Sequence, residues 1–243
     1  MKLNFIHKEQ IAADSWNLMF EKPDGFNYEP GQYLEINLEH RNPDDRGTTR
    51  WFTLSSSPTE GDLMITTRLV EKHSTFKQAL FDLKPSDSVD AKGPMGKFIM
   101  PKDPNSEIVW IAGGIGVTPF RSQMKFILDN QQQRKITLIY SNRTKNDICF
   151  TKLWEEAQAS VKNFKLVSTL VDEVPPGWEG ESGMVDEAMI KRAVGQPADK
   201  IFYVSGPEPM VEAFKPKLMA MGIKEENIHQ DWFPNYTEEF FKV

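Results

Sequence analysis

An apolar run, Ile108-Val109-Trp110-Ile111-Ala112, passes directly into Gly113-Gly114-Ile115-Gly116-Val117-Thr118-Pro119. The next segment, from about Pro119 to Asn130, has helical spacing, with Phe120, Met124, Ile127 and Leu128 on one side. A short strand that is apolar on both faces is the kind buried inside a parallel sheet, and parallel strands need a crossover helix between them. Glycines at the junction remove the Cβ atoms that would hold a phosphate away from the backbone. The helix that follows offers unpaired N–H groups and a partial positive charge. Pro119 suits a first helical turn, where its missing N–H costs nothing. No Lys-Ser/Thr follows the glycines, which argues against a Walker-type loop; a tight strand-to-helix turn that needs glycine for sterics alone stays open.

Downstream, strands and helices alternate: Ile136 to Tyr140, a helix from Leu153 to Val161, Phe164 to Leu170, a helix from Val185 to Val194, Ile201 to Val204, a helix from Met210 to Met221, and a last strand from Ile228 to Phe233. Repeated βα units imply a doubly wound parallel sheet, whose ligands sit beyond the carboxyl ends of the strands. That rule selects Gly113 to Pro119, Ser141 to Asp147 and Ser205 to Met210. Upstream of the linker Pro101-Lys102-Asp103-Pro104-Asn105-Ser106 the character differs. Gln32 to Leu38 alternates with Leu34, Ile36 and Leu38 on one face, and Trp51 to Leu54 and Leu63 to Val70 are short strands between Ser/Pro/Gly-rich turns. This pattern suggests a small barrel or sandwich. Ser74 is a good N-cap for a helix carrying Phe76, Leu80 and Leu83 before Pro85 stops it.

The expected fold class is therefore a two-domain α+β chain: an N-terminal antiparallel β-barrel, 1–103, then an α/β doubly wound parallel-sheet domain, 104–243. With 243 residues and 39% hydrophobic content there is enough chain and enough apolar material for two cores. A net charge of −6 argues against coating nucleic acid. The single cysteine, Cys149, can build neither an internal disulfide nor a Cys-based metal cluster, and is expected in the core. The start, Met1 to Gln10, lacks a signal-peptide core, and no stretch is apolar enough to span a membrane. The expectation is a soluble, cytoplasmic protein with no metal.

Arg50-Trp51-Phe52-Thr53-Leu54-Ser55-Ser56-Ser57-Pro58 places a cation, flat rings and clustered hydroxyls where a strand enters a turn. Arginine grips phosphate bidentately, and strand-end hydroxyls and amides can meet ring heteroatoms. An ordinary strand with one exposed arginine has the same sequence, so this segment alone does not decide.

Arg50-x-Phe52-Thr53, then Gly-Gly-Ile-Gly-Val-Thr-Pro, then Gly206-Pro207-x-x-Met210, in this order and on these elements, resembles the ferredoxin–NADP reductase family over essentially the whole chain. The resemblance implies a flavin-binding barrel followed by a nicotinamide-nucleotide domain, with FAD and NADPH (or NADH) as cofactors. It implies Arg50 on the flavin pyrophosphate and Trp51, Phe52 and Ser55 around the flavin. Thr53 is implied near its reactive edge. Arg68, Val70, Ser74, Thr75 and Phe76 complete the flavin set. The chain departs from the pattern at Phe52, where tyrosine is usual, and at Glu71, where the phosphate segment has glycine. Gly93-Pro94-Met95-Gly96-Lys97-Phe98 matches the segment closing the barrel in many members.

Gly113, Gly114, Gly116, Thr118, Pro119, Ser141, Arg143, Gly206, Pro207 and Met210 carry over to the nicotinamide nucleotide, with Ser205 standing where cysteine is usual. Thr53, Ser205 and Phe233 are the implied catalytic positions, Phe233 and then Tyr236 being candidates to cover the flavin. No acid stands at the Ser141-Asn142-Arg143-Thr144 strand tip, and Arg143 suits a 2′-phosphate, so NADPH is expected ahead of NADH. The resemblance implies hydride transfer from NAD(P)H to FAD and delivery to a separate carrier, a ferredoxin or flavodoxin. Such carriers are usually acidic, so a chain at −6 needs a local basic patch to steer one, and Lys72, Lys77 and Lys92 with Arg68 are the candidates for it. No iron–sulfur or haem module is expected. A reductase of free flavin and a non-catalytic subunit of the same fold are the alternatives.

Overall fold

The structure is a computed structural model and describes residues 1–233. Its contacts divide the chain into one unit of Met1–Met100 with Thr118–Phe126, and a second of Pro101–Val117 with the residues from Ile127 onward.

The first unit holds β1 (Lys2–Gln10), β2 (Ser15–Glu21), β3 (Tyr33–Asn37), β4 (Thr49–Thr53), β5 (Asp62–Arg68), helix α1 (Thr75–Asp82) and β6 (Ser88–Met95). All pairings are antiparallel, in the order β4-β3-β6-β1-β2-β5. The two outer strands meet at a bridge between Leu54 and Ile65, so the sheet curls back on itself at that corner. Leu34 and Ile36 face a core of Leu3, Phe5, Leu18, Phe20, Ile65 and Val89, which Phe76, Leu80 and Phe81 of α1 cover. Leu38 packs on that core from beyond the strand end. Ser74 caps α1, its side chain accepting from Lys77 N–H at 3.1 Å. The β3–β6 register slips between Tyr33 and Glu35. At this irregularity Gly93 has φ +140°, and a Cβ there would lie 2.7 Å from Leu34 Cδ2; only glycine fits.

The second unit holds β7 (Glu107–Gly113), β8 (Lys135–Asn142), α3 (Thr151–Ser160), β9 (Phe164–Leu170), β10 (Glu181–Ser182), α4 (Glu187–Val194), β11 (Ile201–Pro207), α5 (Glu208–Ala220) and β12 (Ile228–Phe233). The strands run parallel in the order β10-β9-β8-β7-β11-β12. Helix α2 (Thr118–Asp129) follows β7 through a 3-10 turn, Gly114–Val117. One face of this sheet, with Val109, Ile111, Ile139, Phe202 and Val204, packs on Met189 and Ile190 of α4 and on Val211, Phe214 and Leu218 of α5. Trp110, Tyr140 and Tyr203, also on the central strands, are fully buried as well. Cys149 is buried in the core, as the sequence leads one to expect.

Candidate functional site

In the first unit β4 supplies an alternating strip: Trp51 is 57% exposed, Arg50 and Phe52 are half-buried, and Thr53 is buried at the strand end. Phe52 stacks on Phe76 of α1, ring centres 6.0 Å apart at 24°. The Arg50 guanidinium lies 5.1 Å from the centre of the same Phe76 ring, a cation–π contact. Arg50 also donates to the carbonyls of Arg46, Gly47 and Thr49 and pairs with Asp44 at 2.9 Å. Desolvation lowers its pKa most, and the carboxylate of Asp44 opposes that shift. The Thr75 hydroxyl accepts from the Asp44 N–H and lies 3.1 Å from His40 Nε2. His40 Nδ1 is 2.8 Å from the Leu38 carbonyl, which assigns the ring proton to Nδ1 and makes Nε2 the acceptor for Thr75. Arg50, Phe52, Thr75 and Phe76 thus form one cluster beside the start of α1, where the first helical N–H groups have no intrahelical acceptor.

The serine-rich turn after Thr53 is fixed from several sides. Ser56 Oγ is 2.9 Å from the Tyr28 hydroxyl and accepts from Met64 N–H. The Ser56 carbonyl accepts from Ser122 Oγ at 2.5 Å. Arg121 donates to the Ser55 carbonyl and forms a two-point pair with Glu60, which in turn accepts from Ser57 N–H. Burial raises the Tyr28 pKa, keeping the phenol protonated. Ser55 Oγ is fully buried and meets no hydrogen-bond partner among the described residues. Tyr28, Glu60 and Arg121 were not singled out in the sequence; the one local signal for them is Ser57 three residues ahead of Glu60, a capping-box spacing.

Other expected residues have partners of their own. Arg68 is paired with Asp14 through both Nε, at 2.7 Å, and a terminal nitrogen. The Val70 carbonyl lies against His73 Nδ1. Lys92 pairs with Glu35, which also accepts from Trp51 Nε1. Two members of the expected basic patch, Arg68 and Lys92, therefore already carry carboxylates, and Lys77 donates to the Arg68 carbonyl.

In the second unit the glycine loop lies against the end of β11. A Cβ on Gly116 would stand 2.3 Å from the Ser205 carbonyl oxygen and 2.5 Å from Gly206 Cα. One on Gly113 would meet Met210 Sδ at 2.4 Å and Pro207 Cδ at 3.2 Å. Gly114 turns through φ +51° with open space around it. Gly113, Gly116, Ser205, Gly206, Pro207 and Met210 of the sequence-derived set therefore form a single packed cluster at the carboxyl ends of β7 and β11, with Gly114 at the open turn beside it. Thr118 is buried at the first position of α2, followed by Pro119. Ser205 is fully buried, and its hydroxyl has no hydrogen-bond partner among the described residues.

Asp231 is the register partner of Ser205 on β12, as His229 is of Tyr203. Register partners on adjacent strands project to the same face, and Tyr203 and His229 do stack, ring centres 4.5 Å apart. Loss of water raises the Asp231 carboxyl to about 7, although the residue as a whole is only half-buried. Asp231 was not among the expected functional residues, because its pairing with Ser205 exists only once β12 is in register. Phe233 closes β12 beside Pro207; Tyr236 lies outside the described residues.

At the tip of β8, Ser141 is the register partner of Gly113. Arg143 Nε donates to Asp172 Oδ2 at 2.5 Å, and the Arg143 carbonyl accepts from the N–H groups of Asp172 and Glu173. Asp147 accepts from both the N–H and the hydroxyl of Thr144, a local cap.

Each unit thus carries one candidate binding cluster, and the comparisons identify the class of domain on either side of the linker. Residues 2–100 match the model of the oxidoreductase FAD-binding domain and residues 110–215 that of the oxidoreductase NAD-binding domain. The chain belongs to the ferredoxin reductase-like flavoproteins. It is 33% identical over 227 residues to NADH-cytochrome b5 reductase 2 of Mycosarcoma maydis, covering 88% of this chain and 63% of that one. It is 30% identical over 208 residues to the reductase component of a phenol 2-monooxygenase from Pseudomonas sp. (strain CF600), covering 85% and 58%. The cytochrome b5 reductase domain of Ulva prolifera nitrate reductase superposes with a TM-score of 0.80 at 26% identity, over 95% of this chain and 96% of that one. The chain thus spans about three fifths of the length of these two curated relatives. Among the described residues no helix is long and apolar enough to cross a membrane.

Proposed function

We propose that the protein is an NAD(P)H-dependent flavoprotein reductase that takes hydride from a nicotinamide nucleotide onto FAD and passes electrons to a separate acceptor. The observation carrying this is the glycine loop after β7, where Gly113 packs on Pro207 and Met210 and Gly116 on Ser205–Gly206 while Gly114 turns through φ +51° with no described atom within 4 Å of its Cβ position, at the strand ends where such sheets take ligands. The first unit fits FAD by the same reasoning. It offers a guanidinium over an aromatic pair at the start of α1, and a buried serine hydroxyl without a partner, Ser55.

Bound FAD would supply the two-electron acceptor for hydride and the means of releasing electrons singly. The chain's part is placement. Arg50 and the first N–H groups of α1 hold pyrophosphate, and Thr53 and Ser55 end the strand beside them. The glycine loop admits the second pyrophosphate, and Ser205 offers an uncommitted hydroxyl for the nicotinamide. Arg121 and Glu60 keep the serine turn from moving. Hydride transfer itself needs no protein acid or base, so His7, His40, His73 and His229 are not assigned to it.

The acceptor is a ferredoxin or flavodoxin in the sequence reading. The names of the relatives add a cytochrome b5 and an oxygenase component to the candidates. The test is the visible spectrum of the purified protein before and after anaerobic NADH or NADPH. A flavin spectrum that survives gel filtration and bleaches with either nucleotide supports the reading. A colourless protein that reduces only added flavin replaces it with a free-flavin reductase, and retained flavin that neither nucleotide bleaches makes it a binding subunit.

A further inference from the structure

We propose that a cavity at the amino ends of the parallel strands of the second unit binds a small phosphate-bearing anion, held by Lys162, Lys165 and Lys200.

The cavity has a volume of about 340 Å³, within the range of small-molecule sites, roughly 300–1,000 Å³. It opens beside Glu107, Lys135 and Phe164, the first residues of β7, β8 and β9. β7 runs from Glu107 to Gly113, so at about 3.3 Å per residue the glycine loop stands roughly 20 Å away, at the other end of the sheet. Among the described residues the charged side chains lining the cavity are Lys135, Lys162, Lys165 and Lys200, against the single carboxylate of Glu107. In a chain of net charge −6 this is a local reversal of sign.

Most of that charge is not consumed where it stands. Lys200, with only 15% of its side chain exposed, and Lys135 share one carboxylate, both pairing with Glu107. The hydrogen bond from Lys200, then that from Lys135, holds the Glu107 carboxyl below its ordinary range, so at neutral pH it is one negative charge between two cations. Lys165 Nζ donates to the Ala193 carbonyl in the last turn of α4 at 2.8 Å, a neutral acceptor that fixes the ammonium without cancelling it. Lys162 follows α3 but is not needed to close it. The Ser160 carbonyl accepts from Gln133 Nε2 at 3.2 Å, and the Lys162 N–H donates to Gln133 Oε1 at 3.0 Å. The backbone at Lys162 is thereby anchored, while its ammonium meets no partner among the described residues.

An ammonium carries three N–H donors. Lys165 and Lys200 each commit one in the bonds above and keep donors for a ligand, as Lys162 does in full. Ammonium groups act as point charges without the planar fork that grips a carboxylate from one side, and they suit a tetrahedral phosphate approached from several. Thr137 and Asn163 line the same cavity and add neutral hydrogen-bonding groups.

Amide NMR of the purified protein, titrated with sodium pyrophosphate at constant ionic strength, tests the site by location. The Ile108, Ile136 and Phe164 amides should shift and saturate together, with the Gly114 and Gly116 amides reporting the glycine loop separately. Lys162→Ala should weaken the binding read at the first set about tenfold, the scale of one charge-assisted hydrogen bond. Adding Lys165→Ala should weaken it further, with the melting temperature and the Gly114 and Gly116 response unchanged. Inorganic phosphate and glycerol 3-phosphate, titrated in parallel, distinguish a free ion from the phosphate of an ester, and tighter binding of either supports the proposal. Citrate that binds the same amides as tightly as pyrophosphate overturns the assignment to phosphate. Shifts that do not saturate, or a Lys162→Ala variant that binds as the native protein does, overturn the site.

Discussion

Gly116→Ala is the sharpest perturbation the fold allows, because the glycine loop has no slack on that side. The new Cβ would stand 2.3 Å from the Ser205 carbonyl oxygen and 2.5 Å from both Gly206 Cα and the Ser205 carbonyl carbon. All three are backbone atoms of β11, which is hydrogen-bonded on one side to β7 and on the other to β12. A flexible side chain could swing away; a strand held in mid-sheet moves only by straining both ladders. Overpacking costs about 1–3 kcal/mol and occasionally more, and backbone neighbours put this case near the top, about 3 kcal/mol. For a chain of this length that lowers Tm by roughly 6–12 °C. Gly114→Ala is the control within the same loop: φ there is +51° but nothing lies within 4 Å, so only the left-handed backbone preference, about 1 kcal/mol, is lost. Scanning calorimetry of the two variants, with 5′-AMP titration at a temperature where both are folded, reads the difference. Gly116→Ala should melt well below Gly114→Ala and lose nucleotide affinity at least tenfold. If the two variants melt together, or Gly116→Ala binds nucleotide normally, the packing described between the loop and β11 is wrong.

The pair formed by Arg121 and Glu60 is mostly buried, at 13% and 26% side-chain exposure. Breaking a fully buried pair costs roughly 3–5 kcal/mol, so Glu60→Ala should cost about 2 kcal/mol here, with Glu60→Gln milder because it keeps a partner for Ser57 N–H. Urea unfolding that finds both variants indistinguishable from the native protein would refute a clamping role. Asp231, raised from 3.8 to about 7 by burial, binds its proton more tightly folded than unfolded. Its stabilising contribution is therefore complete below pH 3.8 and is lost as pH rises towards 7. The urea midpoint of the native protein should fall over that window relative to Asp231→Asn, and a pH-independent difference would show that the carboxyl is ordinarily solvated. Arg50→Gln should weaken FAD binding at least about tenfold, the order of a lost charge-assisted phosphate contact; unchanged flavin-fluorescence titration would remove Arg50 from the site.

The readable parts of the sequence are those whose information is local. β7, β8, β9 and β12 announce themselves as apolar runs or β-rich segments, α1 by Ser74 and Pro85, and the glycine loop by composition. β1, β2 and β6 were not singled out. In β6 only Val89 and Ala91 point into the core, and Gly93-Pro94 interrupts the alternation where the register slips. What the sequence hides is pairing over distance. Glu60 and Arg121 lie 61 residues apart, and Arg143 and Asp172 lie 29 apart. The motif segments name the cations but say nothing of the carboxylates that arrive beside them.

Those carboxylates change what the site is. Arg50, Arg68, Arg121 and Arg143, each within or beside a candidate binding segment, are paired with Asp44, Asp14, Glu60 and Asp172 in turn. A chain of net charge −6 that pairs its site arginines in this way offers a nucleotide little free positive charge. Binding then draws also on neutral donors already withdrawn from water: helix-start N–H groups, the backbone of a glycine loop, and the hydroxyls of Ser55 and Ser205, which meet no hydrogen-bond partner among the described residues. Such donors are already desolvated, so a ligand that reaches them gains hydrogen bonds without stripping water from the protein side. At Arg50 the same logic has a cost, since a flavin pyrophosphate must compete with Asp44. The exchange is feasible because Asp44 sits on a turn whose backbone is held independently, its N–H on Thr75, so the carboxylate can leave Arg50 without unravelling the site.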